Sequence, residues 1–310
     1  MRALSRRMFL GRSAAAAGFA FCGRSLFAEE KNAAAFGLGF SLYGMKTLPL
    51  EQALGACAEI GYDNVELSLM NGFPTEPALL GSAERIRLRE QLRALKLRVS
   101  ALMENLSLLA DEATHAKHLE RIKAAGQLAH DLSSSTPPPL ETVLGGKPAE
   151  WDAVKERMAT QLRAWAGAAA EAKVVIAIKA HVMAAVNSPE RLLWLLQQAD
   201  SPWIKATYDF SHFQLAGLTL DESLTALLPQ TRFIHVKDAR PKPDGKFDFL
   251  LPGEGGTDYA TYFKRLRELG YRGDVVVEVS AMISNKPGYD PIEAAKKSFT
   301  ALAPAWKATG

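Results

Sequence analysis

The chain has 310 residues, 48% of them hydrophobic and 23% charged, and its formal net charge at pH 7 is only +3. This composition supplies enough apolar material for a sizeable core and excludes a chain that is disordered throughout. The small net charge gives no electrostatic reason to expect a nucleic-acid partner. The length admits either two ordinary domains or one α/β barrel, which usually needs about 250 residues.

The first 28 residues have the organisation of an export signal. They contain five arginines and a short apolar run at about residues 14–22, with no acidic residue before Glu29, so that their removal changes the net charge from +3 to −2. Arg6 and Arg7 form a twin-arginine pair ahead of the apolar run. This run is shorter than the roughly 20 residues that a membrane span needs. We therefore expect residues 1–28 to direct export to the periplasm and to leave no stable membrane anchor after processing.

Replacing both Arg6 and Arg7 by lysine tests this export prediction. We expect the doubly substituted precursor to accumulate in the cytoplasm, because the twin-arginine route recognises the arginine pair. Cell fractionation and immunoblotting would measure the distribution, with the unchanged chain as the control. Unchanged export would contradict the prediction and favour the alternative, an ordinary amphipathic N-terminal helix.

Beyond the signal, strand-like runs alternate with amphipathic helical stretches, and no linker divides them. Helical stretches cover, for example, residues 50–61, 83–96, 149–173 and 258–270. The predicted strands are residues 36–44, 64–69, 98–105, 127–133 (a weak candidate), 174–181, 204–212, 232–239 and 274–281. Eight consecutive β-then-α units predict a single (β/α)8 TIM barrel, an α/β fold, over residues 33–310. The first strand is not followed by a GxGxxG turn, so we expect no nucleotide cofactor.

In such a barrel, functional side chains lie at the C-terminal ends of the strands. Three predicted strands place an ionisable residue inside an apolar run, where an unpaired charge is costly. These are Asp209 in "ATYDFSH", His235 in "FIHVKD" and Glu278 in "VVVEVS". The other candidates at the strand ends are Glu66, Glu104, Lys179, His181, His212, Lys237, Asp238 and Arg240. We interpret this cluster as a functional site, although each of Glu66, Glu104, His212, Asp238 and Arg240 has a structural alternative.

The order of "YDFSH", "IHVKD", "LPGEG" and "VVVEVS", after an acid on strand two, resembles the xylose-isomerase-like barrel family of sugar isomerases and epimerases. The resemblance implies a divalent metal (Mn, Mg or Zn) held by a strand-five glutamate together with Asp209, His235 and Glu278. It also implies proton transfer through an enediolate by the glutamates of strands five and eight. The expected partner is a small carbohydrate, and the chain could form a homo-oligomer.

The strand-five position differs from the family pattern, because Lys179 stands where the metal-binding glutamate is expected. Asp209, Glu278 and Lys179 without a metal sum to −1, which is also the sum for three carboxylates with a dication. The ammonium could therefore replace the ion. A retained metal remains open as well, with His181 as a further ligand, higher toward the barrel mouth.

Four functions follow from this difference. The first is an exported sugar isomerase or epimerase in which Glu278 is the base and Lys179 or a metal stabilises the enediolate. Glu66, Glu104, His181, His212, Lys237 and Arg240 are the expected substrate-binding residues. The others are a catalytically silent sugar-binding barrel, a lyase that forms an imine on Lys179, and a nuclease, which the lack of a basic face disfavours.

Two glycine- or proline-rich segments stay ambiguous. Residues 133–146 are long for a βα loop and could be a lid or a surface excursion. Residues 251–256, "LPGEGG", lie where barrels often bind phosphate, but they also suit a plain tight turn.

Overall fold

Eight parallel strands close into a barrel in this computed structural model, which describes residues 36–133 and 135–308. The order of strands around the barrel follows the chain, and the first strand pairs with the last. The predicted (β/α)8 fold is therefore confirmed. The predicted signal segment, residues 1–28, lies outside the described residues. Within them, no helix is both long and apolar enough to cross a membrane.

The strands and helices alternate along most of the chain. The barrel strands are β1 (Leu38–Ser41), β2 (Asn64–Ser68), β3 (Arg98–Glu104), β4 (Leu140–Val143), β5 (Ile176–Lys179), β6 (Ile204–Asp209), β7 (Thr231–Val236) and β10 (Val275–Val277). The helices are α1 (Leu50–Ile60), α2 (Ser82–Ala94), α3 (Glu112–Leu132), α4 (Trp151–Ala172), α5 (Pro189–Ala199), α6 (Phe210–Leu215), α7 (Leu220–Leu227), α8 (Tyr259–Glu268), α9 (Ala281–Ser284) and α10 (Pro291–Lys307). A hairpin of β8 (Asp238–Pro241) and β9 (Phe247–Leu250) follows β7.

The fourth strand differs from the prediction. Residues 127–133 are not a strand, because helix α3 begins at its N-cap Asp111 and continues to Leu132. Ile122, Ala125, Ala129 and Leu132 are buried at helical spacing, so this segment packs as one amphipathic helix. The strand is instead β4, inside the segment 133–146 that was interpreted as a loop.

The barrel interior has an apolar layer beneath a polar one. Ala101, Ala177, Phe233 and Val276 form a small buried cluster separate from the main core between strands and helices. Side chains two positions apart on a strand point to the same face. Lys179, His235 and Glu278 each follow a member of this cluster by two residues, so they point inward one layer nearer the C-terminal end.

Candidate active site

The polar layer converges on Lys179, the last residue of β5. Its Nζ lies 3.0 Å from Glu278 Oε1, 3.2 Å from Glu141 Oε1 and 3.0 Å from His235 Nδ1. The lysine is only 2% exposed. Burial alone would lower the pKa of Lys179, but attraction by Glu141 and Glu278 outweighs it and raises the pKa. Lys179 therefore carries its charge at neutral pH.

A second ammonium group enters the same site from the segment after β7. Lys237 Nζ donates to Asp209 Oδ2 and, at 2.5 Å, to Glu278 Oε2. The Glu278 carboxylate thus accepts a hydrogen bond from Lys179 on one oxygen and from Lys237 on the other. Burial alone would raise the pKa of Glu278, but the two lysines outweigh it and lower the pKa well below the usual 4.5. Asp209 and Glu278, which the sequence predicted to lie together, therefore share one lysine.

His235 is fixed from both sides. Its Nε2 lies 3.0 Å from Glu66 Oε2 on β2, and its Nδ1 lies near Lys179 Nζ. Burial alone would lower the pKa of His235, but Glu66 outweighs it and raises the pKa. Glu66 is completely buried and does not line the cavity described below, so the structure places it behind His235.

His181 and His212 form a pair of tilted rings in the cavity wall, with their ring centroids 4.2 Å apart. The backbone N–H of Met183 donates to His181 Nδ1, and that of Val182 donates to His212 Nδ1. These contacts assign the proton of each neutral ring to Nε2. Burial, with repulsion from His212 and Lys179, lowers the pKa of His181 to about 3, so it presents a neutral N–H donor.

The remaining predicted residues divide between the site and the surface. Glu104 lines the cavity, and Arg121 of α3 donates to its Oε1 at 2.6 Å. Arg240 is exposed and donates to the Glu254 carbonyl, so the structure does not bring it to the cavity. Asp238 accepts from the backbone N–H groups of residues 253 and 255 and from Tyr259. The "LPGEGG" segment is thus a turn fixed on Asp238.

The structure adds one acidic residue that the sequence did not reveal. Glu141 on β4 is 1% exposed and contacts Lys179. It was missed because β4 was placed some ten residues too early, which left "LETV" inside a presumed loop. With Glu141, seven of the eight barrel strands bring an ionisable group to this end of the barrel.

A cavity of ≈ 180 Å³ opens onto these groups. Its ionisable lining consists of Glu104, Glu141, Lys179, His181, His212, Lys237 and Glu278, with Tyr43 and Phe249 among the aromatic residues. Asp209 and His235 are not part of this lining. Larger surface cavities exist at the opposite end of the barrel and between helices, but they lack this convergence of buried charges. The central cavity is therefore the candidate active site.

The charges of the site are more numerous than the sequence suggested. Three carboxylates, those of Glu141, Asp209 and Glu278, contact the two ammonium groups of Lys179 and Lys237, and a fourth, Glu66, contacts His235. Burial raises the pKa of Glu141 to about 7, against the attraction of Lys179 and His235. Protons on Glu141 and His235 can therefore offset the acidic excess that the lysines leave.

Three predicted metal ligands do come together, since atoms of Asp209, His235 and Glu278 lie within 4.8 Å of one another. Lysine nitrogens, however, already lie against these ligand atoms: Lys237 donates to Asp209 and Glu278, and Lys179 donates to Glu278 and lies 3.0 Å from His235 Nδ1. A divalent ion among these atoms would lie within a few Å of two ammonium groups, where repulsion is poorly screened. His181 adds no ligand atom to this group. The residues present therefore do not fit a divalent ion.

Comparison with known proteins agrees with the fold. The family model of the xylose isomerase-like TIM barrel matches residues 54–304. A putative L-ribulose-5-phosphate 3-epimerase, SgbU of Escherichia coli K12, is 28% identical over 59% of this chain and 65% of its own length. An inosose dehydratase of Mesomycoplasma hyopneumoniae is 23% identical over 82% of this chain and 88% of its own.

Solved structures show the same architecture. The IOLI protein with a bound zinc atom has a TM-score of 0.70 at 21% identity, covering 87% of this chain and 99% of that one. An L-ribulose 3-epimerase has a TM-score of 0.67 at 18% identity, covering 88% and 95%. At these identities, the likeness establishes the fold alone.

Proposed function

Because the chain belongs to the xylose isomerase-like TIM barrel family, we propose that it is an enzyme that removes a proton next to the carbonyl of a small keto-sugar. The observation that carries this proposal is the Glu278 carboxylate, which lines the cavity between two lysine ammonium groups. Relatives named as sugar 3-epimerases and inosose dehydratases support it, since both reactions can begin with this proton removal.

In the proposed reaction, Glu278 accepts the proton from the carbon, and the electron pair of that C–H bond moves toward the carbonyl oxygen. Lys179 and Lys237 stabilise the negative charge that develops on the oxygen. A carboxylate with a lowered pKa is a weak base. When a lysine turns to the substrate oxygen, however, its hold on Glu278 weakens, so basicity rises as the oxygen becomes negative.

The chemistry is assigned to this chain's own residues and not to a metal, because the ligand atoms are already bound by lysine. The neutral N–H group of His181 suits a hydroxyl oxygen of a sugar. Nε2 of His212 instead lies 3.4 Å from Asp209 Oδ2, and the rings of Phe249 and His212 meet edge to face with centroids 5.1 Å apart. An imine on Lys179 is disfavoured, since the raised pKa of Lys179 leaves little neutral amine to attack a carbonyl.

Incubation in D₂O tests the proposal. We expect the purified barrel to exchange the C–H next to the carbonyl of L-ribulose, D-allulose or inosose, seen by proton NMR as loss of that signal. Glu278→Gln should reduce the exchange rate by about 10²–10⁴-fold, because it removes the base. The conservative change keeps the side-chain shape, and a thermal melt verifies that the variant is folded.

The products distinguish the related activities. A new diastereomer of unchanged mass indicates epimerisation, and loss of water indicates dehydration. If the protein binds a sugar but exchanges the C–H of none of the ketoses tested, the proposal is overturned in favour of a silent binding barrel. A borohydride-trapped adduct on Lys179 would favour the lyase instead.

A further inference from the structure

The end of the barrel opposite the candidate active site holds a cavity that the proposed reaction does not use. Its volume is ≈ 880 Å³. Its wall combines residues at or just before the starts of β1, β3, β7 and β10 with the last turns of α2 and the segment after α3. In the described part of the chain, five arginines line it, namely Arg89, Arg93, Arg98, Arg232 and Arg272. Guanidinium groups gathered on one concave surface suit an anionic ligand.

The charge of this cavity is opposite in sign to that of the chain around it. Against the five arginines, the described lining has two acidic residues, Glu90 and Asp274, which leaves a net charge of +3. Residues 29–310 as a whole carry a net charge of −2. The positive charge is therefore local to this surface. A concave surface of one sign raises the local concentration of ions of the other sign.

Two of the guanidinium groups have no partner of their own. Within residues 36–133 and 135–308, neither Arg93 nor Arg232 forms a hydrogen bond or an ion pair. Arg93 is exposed, but Arg232, the second residue of β7, is half-buried. A half-buried guanidinium that donates to nothing loses hydration without compensation. An anion in the cavity would supply the acceptor that Arg232 lacks.

The floor of the cavity holds polar groups in fixed positions. Arg98 forms a bidentate ion pair with Asp274, in which the N–O distances are 3.0 Å and 2.7 Å. A Cβ added to Gly37 would stand 2.5 Å from Arg98 Nη2 and 2.9 Å from Asn64 Nδ2, so only glycine leaves room for these groups. Asn64 is completely buried, and neither atom of its amide has a hydrogen-bond partner among the residues that the structure describes. An unpartnered amide thus lies beside the cavity wall at Gly37.

We propose that this cavity binds a small polyanion, a molecule whose linked phosphate or carboxylate groups span several arginines. Arg93 and Arg232 are the main contacts, because their N–H groups have no other acceptor. Arg98 stays paired with Asp274 and fixes the floor. Hydroxyl groups can donate to the remaining anion oxygens, and those in the lining include Ser133, Ser135 and Thr136. The site lies at the opposite ends of the strands that carry the candidate active site.

Calorimetric titration of the full chain with inorganic triphosphate tests the proposal. A salt concentration of about 0.15 M screens exposed charges beyond about 8 Å and suppresses diffuse attraction. We expect saturable binding of about one anion per chain and a Tm that rises with anion concentration, since the ligand binds the folded state. Monophosphate should bind at least about tenfold more weakly, because it cannot span several arginines. Titration with citrate then distinguishes a carboxylate ligand from a phosphate ligand.

Replacing both Arg93 and Arg232 by glutamine should weaken triphosphate binding by about 100-fold or more, at about tenfold for each charged hydrogen bond lost. A thermal melt without anion verifies that this variant is folded. If it is not folded, Arg93→Gln alone, at an exposed position of α2, should weaken binding by about tenfold.

Arg87→Gln with Arg163→Gln is the matched control. It removes the same charge from exposed positions of α2 and α4 that do not line the cavity. We expect this variant to bind triphosphate with the parent affinity. If it loses as much affinity as the cavity variant, the attraction is diffuse and the proposal is overturned. The proposal also fails if the parent binds neither triphosphate nor citrate saturably, or binds monophosphate as tightly. No sugar is present, so either result leaves the proposed function untouched.

Discussion

Replacing Lys179 by alanine should reduce the deuterium exchange rate of the ketose by about 10²–10³-fold, the usual cost of one donor to a developing oxyanion. Lys179 contacts Glu141, Glu278 and His235, so its loss also leaves two carboxylates without the ammonium between them. The pKa of Glu141, already about 7, should rise further, and Glu141 would take up a proton. That protonation limits the charge left unpaired and allows the barrel to stay folded.

Lys205→Ala is the matched control for this experiment. Lys205 also lies on a barrel strand, β6, but it is half-buried, donates to Gln230 at 3.2 Å and does not line the central cavity. We expect Lys205→Ala to exchange ketose at the parent rate. Lys179→Met adds a second comparison, because it restores apolar volume without charge. Full activity of Lys179→Met would show that the ammonium is not needed for the reaction.

The site was predictable from the sequence where a charge interrupts an apolar strand. Asp209, His235 and Glu278 each follow an inward position of their strand by two residues, and the period of two in a strand carries them to one layer. The same periodicity directs Lys179 inward. These four side chains converge because the barrel closes, and barrel closure is itself implied by eight β-then-α units.

The sequence did not predict the position of Glu141, for a reason of local structure. The run "QLAHDLS" has an apolar spacing that suits a short strand as well as a helix end. In the structure it is the last part of the long helix α3, which packs against α4. The proline-rich segment that follows then hides the four-residue strand β4. Short strands carry a weak signal, so an acidic residue on such a strand is easily assigned to a loop.

The contacts of Lys237 were also beyond sequence reasoning. The motif "IHVKD" indicates a strand end, but it does not say whether the lysine turns inward to Asp209 and Glu278 or outward to solvent. The charge sum made from Asp209, Glu278 and Lys179 alone therefore omitted one ammonium group. It also omitted Glu66 and Glu141. When Lys237, Glu66 and Glu141 are included, the two lysines still contact every predicted metal ligand, namely Asp209, His235 and Glu278.

Replacing Lys179 by glutamate should convert this site to one that binds a divalent metal. The change removes the ammonium that contacts His235 Nδ1 and Glu278 Oε1, and it adds a carboxylate beside Asp209, His235 and Glu278. Four nitrogen and oxygen ligands of this kind suit Zn or Mn. Repulsion among the buried carboxylates, no longer offset by Lys179, adds to the attraction for a cation.

Metal analysis of the purified proteins and calorimetric titration with Zn²⁺ and Mn²⁺ measure this gain. We expect the parent to bind either ion weakly, Lys179→Glu to bind about one ion per chain, and Lys179→Glu with Lys237→Met to bind more tightly. The double variant should bind best because Lys237 otherwise keeps donating to Asp209 and Glu278. If the parent instead purifies with one tightly bound metal per chain, and Lys179→Ala retains it, the lysines do not replace the ion. Lys179 would then serve as a proton donor or substrate contact beside a metal held by Asp209, His235 and Glu278.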